Sequence, residues 1–186
     1  MNIFYISEDP FEAAQMMVDK HVVKMILESA QLLSTAHRLI DGEEYVGQSL
    51  SGRKAKRWRL PDERDSNIYQ ATHINHPSAV WCRETSENYY WLFRHFAALM
   101  AEYTYRYGKK HKCDGPLSVS LMQAPLGITK GKMTKMPSAM DDQYKISDDP
   151  LINYRTYYKL GKSRMHKWTK RKPPEWIFDE ALSFQD

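Results

Sequence analysis

Residues 19–33 read DKHVVKMILESAQLL. The pattern continues to residue 39 and can be placed on a helical wheel at about 100° per residue. Val22, Val23, Met25, Ile26, Leu27, Ala30, Leu33 and Ala36 then cover most of the circumference. His21, Lys24, Glu28, Gln31 and Thr35 recur at spacings of three and four and line one narrow face. So wide an apolar surface predicts a largely buried helix. Its polar stripe must then meet a cleft or a buried network, because unpaired buried polar groups cost free energy. The plainer alternative is a surface ion pair between Lys24 and Glu28, worth a few tenths of a kcal/mol. Surface faces, however, are usually wider and richer in charge. In the functional reading His21, Lys24, Glu28 and Gln31 converge on one pocket. Its carboxylate would serve as general base, general acid or stabiliser of a developing cation.

The rest of the chain is organised outward from that helix. MNIFYI (1–6) is short and apolar and predicts an extended arm or a single strand. Asp9-Pro10 supplies a cap and a first-turn proline, so helix is expected from about Phe11 to Leu39 with a break near Val18. Asp41-Gly42 stops it. Residues 41–70, with glycines at 42, 47 and 52, predict a long surface loop. HINHP (73–77) is a connector, and a second long helix is expected from Ser78 to Tyr107, ended by Gly108. Residues 109–146 look irregular, and a third helix starts after Asp148-Asp149-Pro150 and runs to about Leu160. The predicted fold is all-α: one domain over residues 1–186, a compact bundle of two long helices and shorter ones. Its long loops include the 41–70 insertion, its N-terminal arm is extended, and residues 161–186 form a basic, aromatic tail.

Composition narrows the function. The 186 residues are 42% apolar, which argues against disorder, and are enough to bury a core without disulfides or metal. Glu8 and Asp9 interrupt the first apolar segment before it reaches signal-peptide length. No run approaches the roughly 18 apolar residues of a membrane span. Two cysteines, Cys82 and Cys113, are too few for a disulfide framework or a cysteine zinc cage, and a reducing cytoplasm is the expected location. His73 and His76 are zinc ligands by type, but no third ligand stands at a recognised spacing, so neither metal nor cofactor is expected.

Net charge is a modest +4, but the cations cluster as RKAKRWR (53–59) and KLGKSRMHKWTKRK (159–172). Basic runs carrying tryptophans suit nucleic acid, with charge on phosphate and a ring on a base. This nominates Arg57, Trp58, Lys167, Trp168, Lys170 and Arg171. The alternative is a solvated face with both tryptophans in the core. On the second helix Glu84, Asn88, Trp91 and His95 share one face, with Arg83, Glu87, Tyr90 and Arg94 beside it. Arg83, Asn88, Tyr90 and Trp91, together with His76 and Gln31, are the candidate substrate contacts. His95 is read as a core histidine, and Glu102 with Arg106 as a structural pair.

DKHVVKMILESAQLL resembles the first helix of the pyrimidine-dimer DNA glycosylases of the phage endonuclease V type. HPSAVWCRETSENYYWLFRHFAALMAEYTYRYGK (76–109) is similar to that family's second long helix. The tail with Trp168, Lys170, Arg171 and Trp176 is similar to its DNA-contacting end. The resemblance places the family's histidine on His21 and its catalytic glutamate on Glu28. It implies a helical fold along the minor groove that kinks the duplex and flips a base. It also implies attack on the sugar C1′ by an α-amino group, with the glutamate stabilising the sugar cation. Residue 2 is Asn here, bulky enough to leave Met1 in place, so Lys24 and water activated by Glu28 stand beside the α-amine as candidate nucleophiles. The lengthened arm and an expected charge on Lys24 weigh toward water. The implied partner is duplex DNA with an altered base, in a bacterial or phage-infected cell. The rival functions are a transferase or hydrolase acting on modified bases or nucleotides, and a non-catalytic nucleic-acid-binding or host-interaction protein.

Overall fold

The first turn of helix is set by Asp9, whose Oδ1 accepts the N–H groups of Phe11 (2.7 Å) and Glu12 (3.1 Å), with Pro10 following at the first helical position. In the computed structural model, which describes residues 1–49 and 51–183, α1 (Pro10–Met16) ends at an extended Met17. The Val18 N–H donates to the Tyr158 hydroxyl (2.8 Å) rather than to the helix, and α2 (Asp19–Asp41) starts afresh.

α2 buries Val22, Met25, Ile26, Ala30, Leu32, Leu33 and Ala36. It packs on α5 (Ser86–Tyr107), which also receives α1. The expected single helix over 78–107 is divided. α4 (Pro77–Cys82) closes at Arg83, and Thr85 Oγ1 caps α5 by accepting the Asn88 N–H (3.2 Å). A capping threonine with its side chain turned to the backbone favours a new start over continuation. Gly108 ends α5 in the left-handed region (φ 68°).

The 41–70 segment is a correction to the all-α expectation. It is not a loop but an antiparallel hairpin, β1 (Glu43–Gln48) and β2 (Lys54–Arg59), in register from Glu43↔Arg59 to Gln48↔Lys54, followed by the short α3 (Arg64–Asn67). The fold is mainly helical with this one small sheet. Its strands, EEYVGQ and KAKRWR, lack a clean alternation of apolar and polar residues, and Gly52 (φ 76°) serves the turn. Residues 109–146 are mostly irregular but contain α6 (Pro116–Ser120). α7 (Pro150–Thr156) tightens the end of the chain and continues as a π-turn over Tyr157–Gly161. Among the described residues no helix is long and apolar enough to cross a membrane.

Residues 1–6 form an arm rather than a strand, and it is buried: Ile3 and Ile6 are fully enclosed. The Asn2 side chain organises it. Its Oδ1 accepts the N–H of Ile3 (2.7 Å) and Phe4 (3.0 Å), and its Nδ2 donates to Ala139 O (2.8 Å). Phe4 is thereby held at φ 56°, a conformation that costs a bulky residue on the order of 1 kcal/mol or more.

Candidate active site

The arm and the polar stripe of α2 meet at Glu28. Its Oε2 accepts the Asn2 N–H at 2.9 Å and lies 4.0 Å from the Met1 α-amino group. Its Oε1 lies 3.1 Å from Lys24 Nζ. The carboxylate is largely shielded, while the lysine side chain extends into solvent. Three nitrogens therefore surround one carboxylate at the wall of a cavity of about 390 Å³. Lys20, Lys24 and Lys162 bring positive charge to that cavity, against Glu28 and Asp141.

His21 forms the inner wall. Its ring stacks on Phe4 with centroids 4.3 Å apart, and Nδ1 lies 3.0 Å from the Tyr158 hydroxyl. The Tyr158 oxygen already accepts from Val18, so its own proton is free for His21 Nδ1, and the neutral ring then carries its hydrogen on Nε2. Burial, reinforced by Lys162 and Lys24, pushes the His21 pKa down to about 3. His21 is thus neutral at physiological pH and can donate from Nε2 but not supply a formal charge. Lys162 Nζ sits 4.6 Å from the Tyr157 ring centroid and 6.0 Å from that of Phe4, a cation held over aromatic faces.

Of the residues singled out in the sequence, His21, Lys24 and Glu28 line this cavity together. Gln31 is half-buried one turn beyond Glu28. His76 caps α4 by accepting the Ser78 N–H, and the N-terminal amine and Glu28 act on it electrostatically. The stripe of α5 lies elsewhere. Asn88 is fully buried and clamps the 134 region, donating to Trp81 O and Thr134 Oγ1 (2.7 Å each) and accepting from Thr134 N–H (2.8 Å). Trp91 is buried, donates to Glu8 O (2.7 Å) and stacks on His95. Tyr90 packs edge-on against Tyr89, and Arg83 is half-buried at the end of α4. None of these four lines the cavity.

The basic tail is stitched down. Arg171 forms a two-pronged pair with Glu102 (3.0 and 2.8 Å), and Trp168 Nε1 donates to Met16 O (2.8 Å). Lys170 Nζ donates to Tyr105 O, and Lys167 is exposed. Arg57 is half-buried, and Trp58 is 8% exposed at the base of the hairpin. The sequence reading missed Asn2, Ala139, Tyr157 and Lys162. Only the first had a usable signal, since Asn at a chain turn often hydrogen-bonds nearby backbone. Among the described residues no group of three or more His, Cys, Asp or Glu is placed to hold a metal ion.

A family model for pyrimidine dimer DNA glycosylases matches residues 1–115. The chain belongs to this family. Its activity class is accordingly that of a DNA N-glycosylase and its substrate partner is DNA, as the resemblance of residues 19–33 led us to expect. The matched region of this glycosylase holds the arm, the α2 stripe and the hairpin, whereas Ala139, Tyr157 and Lys162 lie beyond it. Neither a curated protein nor a solved structure gave a match.

Proposed function

We propose that this glycosylase cleaves the N-glycosidic bond of a damaged or modified base in duplex DNA, with Glu28 as the central carboxylate and the α-amino group as nucleophile. The observation that carries the proposal is the convergence of the arm on Glu28: the α-amine at 4.0 Å and the Asn2 N–H at 2.9 Å face the same oxygen. If the chain is processed to begin at Asn2, the amine becomes Asn2 N itself, still beside Glu28. Lys24 is a weaker candidate because its Nζ is engaged by Glu28 Oε1 at 3.1 Å. Water is also less favoured, since an amine already occupies the approach to the carboxylate.

The geometry supports the following course. The amine, in its neutral form, attacks the sugar C1′ as the C1′–N bond to the base breaks, the proton lost by the amine nitrogen ends on the departing base, and opening of the sugar ring then gives the imine that borohydride reduces. Glu28 faces the positive charge that develops on the sugar, an electrostatic role realised only in the transition state. His21 Nε2–H, with its ring fixed by Phe4 and Tyr158, is placed to donate to a substrate oxygen. Lys20, Lys24 and Lys162 are placed to meet the flanking phosphates. A cavity of about 390 Å³ lies within the roughly 300–1,000 Å³ of small-molecule sites and admits a flipped base. The test is borohydride reduction during turnover on duplexes with varied altered bases. A covalent protein–DNA adduct is expected with wild-type protein. Base release without an adduct would replace the amine by water, and absence of both would remove the Glu28 assignment.

A further inference from the structure

Arg38 is completely buried, yet its guanidinium serves the insert. It donates to the carbonyl oxygens of Trp58 (2.9 Å), Asp65 (2.7 Å), Ile68 (3.2 Å) and Tyr69 (3.1 Å), and pairs with the Asp65 carboxylate. Gly42 lets β1 leave α2 closely: a Cβ there would stand 2.4 Å from Arg38 O. Trp58 fills the space beneath. The hairpin is therefore a braced arm.

Its direction follows from the helix. On α2, Lys24 lies about 40°, Gln31 about 60° and Arg38 about 80° to the same side of Glu28 at 100° per residue. Lys20, which lines the cavity, has the same angular position as Arg38, so the insert is tied to α2 at the edge of the face that bears the cavity. Between Glu28 and Asp41 the helix advances roughly 20 Å at 1.5 Å per residue.

Residues paired directly in an antiparallel ladder share a face. Trp58 turns one face inward at the base. Arg59 and Arg57, paired with Glu43 and Tyr45, are on the other. The Arg59 guanidinium lies 5.0 Å from the centroid of the Tyr45 ring, and Lys56 is paired with Glu44 (2.9 Å). Among the described residues no carboxylate comes within ion-pair distance of Lys54, Arg57 or Arg59. The segment 43–59 carries Arg53, Lys54, Lys56, Arg57 and Arg59 against Glu43 and Glu44.

We propose that this hairpin grips phosphates of the duplex about six base pairs from the base held at Glu28, given a rise of about 3.4 Å per pair. The location rests on the glycosylase reading of the Glu28 cavity; the grip on DNA does not. A braced cationic arm loses little entropy on binding, so its phosphate contacts are retained as affinity.

The experiment compares wild-type protein with Arg57→Gln/Arg59→Gln, the two cations on the face opposite Trp58, on an unmodified duplex, measuring affinity by anisotropy from about 50 to 200 mM salt. The log–log salt slope is expected to fall by about 2, near 0.9 per lost phosphate contact, with at least a tenfold loss of affinity at low salt. Hydroxyl-radical footprinting of wild-type protein on a duplex with a processed base should show a protected patch about six pairs away that the variant lacks. An unchanged slope and affinity in a variant with wild-type circular dichroism overturns the proposal. Should the double variant not fold, Arg59→Gln alone gives the same decision through a slope change of about one, or none. Binding that depends on the hairpin without any base release would count against the Glu28 chemistry and leave the hairpin standing. Base release with binding indifferent to the hairpin would do the reverse.

Discussion

The backbone amide of Asn2 donates to Glu28 Oε2 at 2.9 Å, so the second residue of the chain is in direct contact with a side chain in the middle of the first long helix. Among the described residues, that carboxylate meets the Asn2 amide N–H and two cations, the α-amino group and the Lys24 ammonium. Replacing the carboxylate by its amide keeps the shape and removes the charge. Glu28→Gln is expected to lower single-turnover base release by roughly 100-fold or more, the scale of losing one electrostatic stabiliser. The melting temperature should stay within a few degrees of wild type. Undiminished base release by the variant would remove Glu28 from the chemistry.

The amine is tested by separating its two candidates. Acetylating the α-amino group should abolish the borohydride adduct. Lys24→Arg should preserve it, because the ion pair with Glu28 survives while a side-chain nucleophile does not. Adduct formation that is lost in Lys24→Arg and kept after acetylation would transfer the role to Lys24. Mass spectrometry of the trapped peptide reads the outcome directly.

Three buried histidines make stability depend on pH. His21 is pushed down to about 3, and His37 and His95 each to about 4, in every case chiefly by burial. Their folded values lie below the unfolded value near 6.5, so the unfolded chain binds more protons in between. Stability is complete above about pH 6.5 and is lost as the pH falls towards 4, by on the order of 1 kcal/mol per pH unit for each histidine. Urea midpoints measured from pH 7 to pH 4 should therefore fall steadily. His21→Asn should shallow that slope by about one proton. A flat profile would mean that these rings are protonated in the folded state.

Arg38 offers a structural test. Its removal would leave Asp65 without its partner and four carbonyl oxygens without a donor. Arg38→Met should cost roughly 1–3 kcal/mol for each buried carbonyl left without a donor, with little added by Asp65, whose side chain is 40% exposed. Limited proteolysis should then cut between residues 43 and 72 before it cuts elsewhere. A variant with wild-type stability and unchanged cleavage would show that the hairpin stands without this brace.

How much of this was legible beforehand depended on range. His21, Lys24 and Glu28 could be grouped from spacing alone, because one helix carries all three and its period is fixed. The same logic grouped Asn88 with Trp91, yet their face turns inward onto Thr134 and Glu8. Periodicity tells which side chains share a face but not which face stays open. The hairpin escaped because cations stand on both faces of its second strand, Lys54 and Lys56 beside Trp58 and Arg57 and Arg59 opposite, so no apolar–polar alternation marks it. Tyr158 and Lys162 escaped for another reason: each meets the arm or α2 across well over a hundred residues, and no local pattern encodes such a meeting.

The tie between Asn2 Nδ2 and Ala139 O, with Phe4 and His21 resting on Tyr157 and Tyr158, means that the cavity is closed by segments made at very different times. During translation Glu28 emerges early, but the amine cannot be seated against it until the residues up to Lys162 have left the ribosome. On the proposed chemistry, a nascent or prematurely terminated chain is expected to be inert toward DNA, and an affinity tag fused ahead of Met1 is expected to keep even the finished chain in that state.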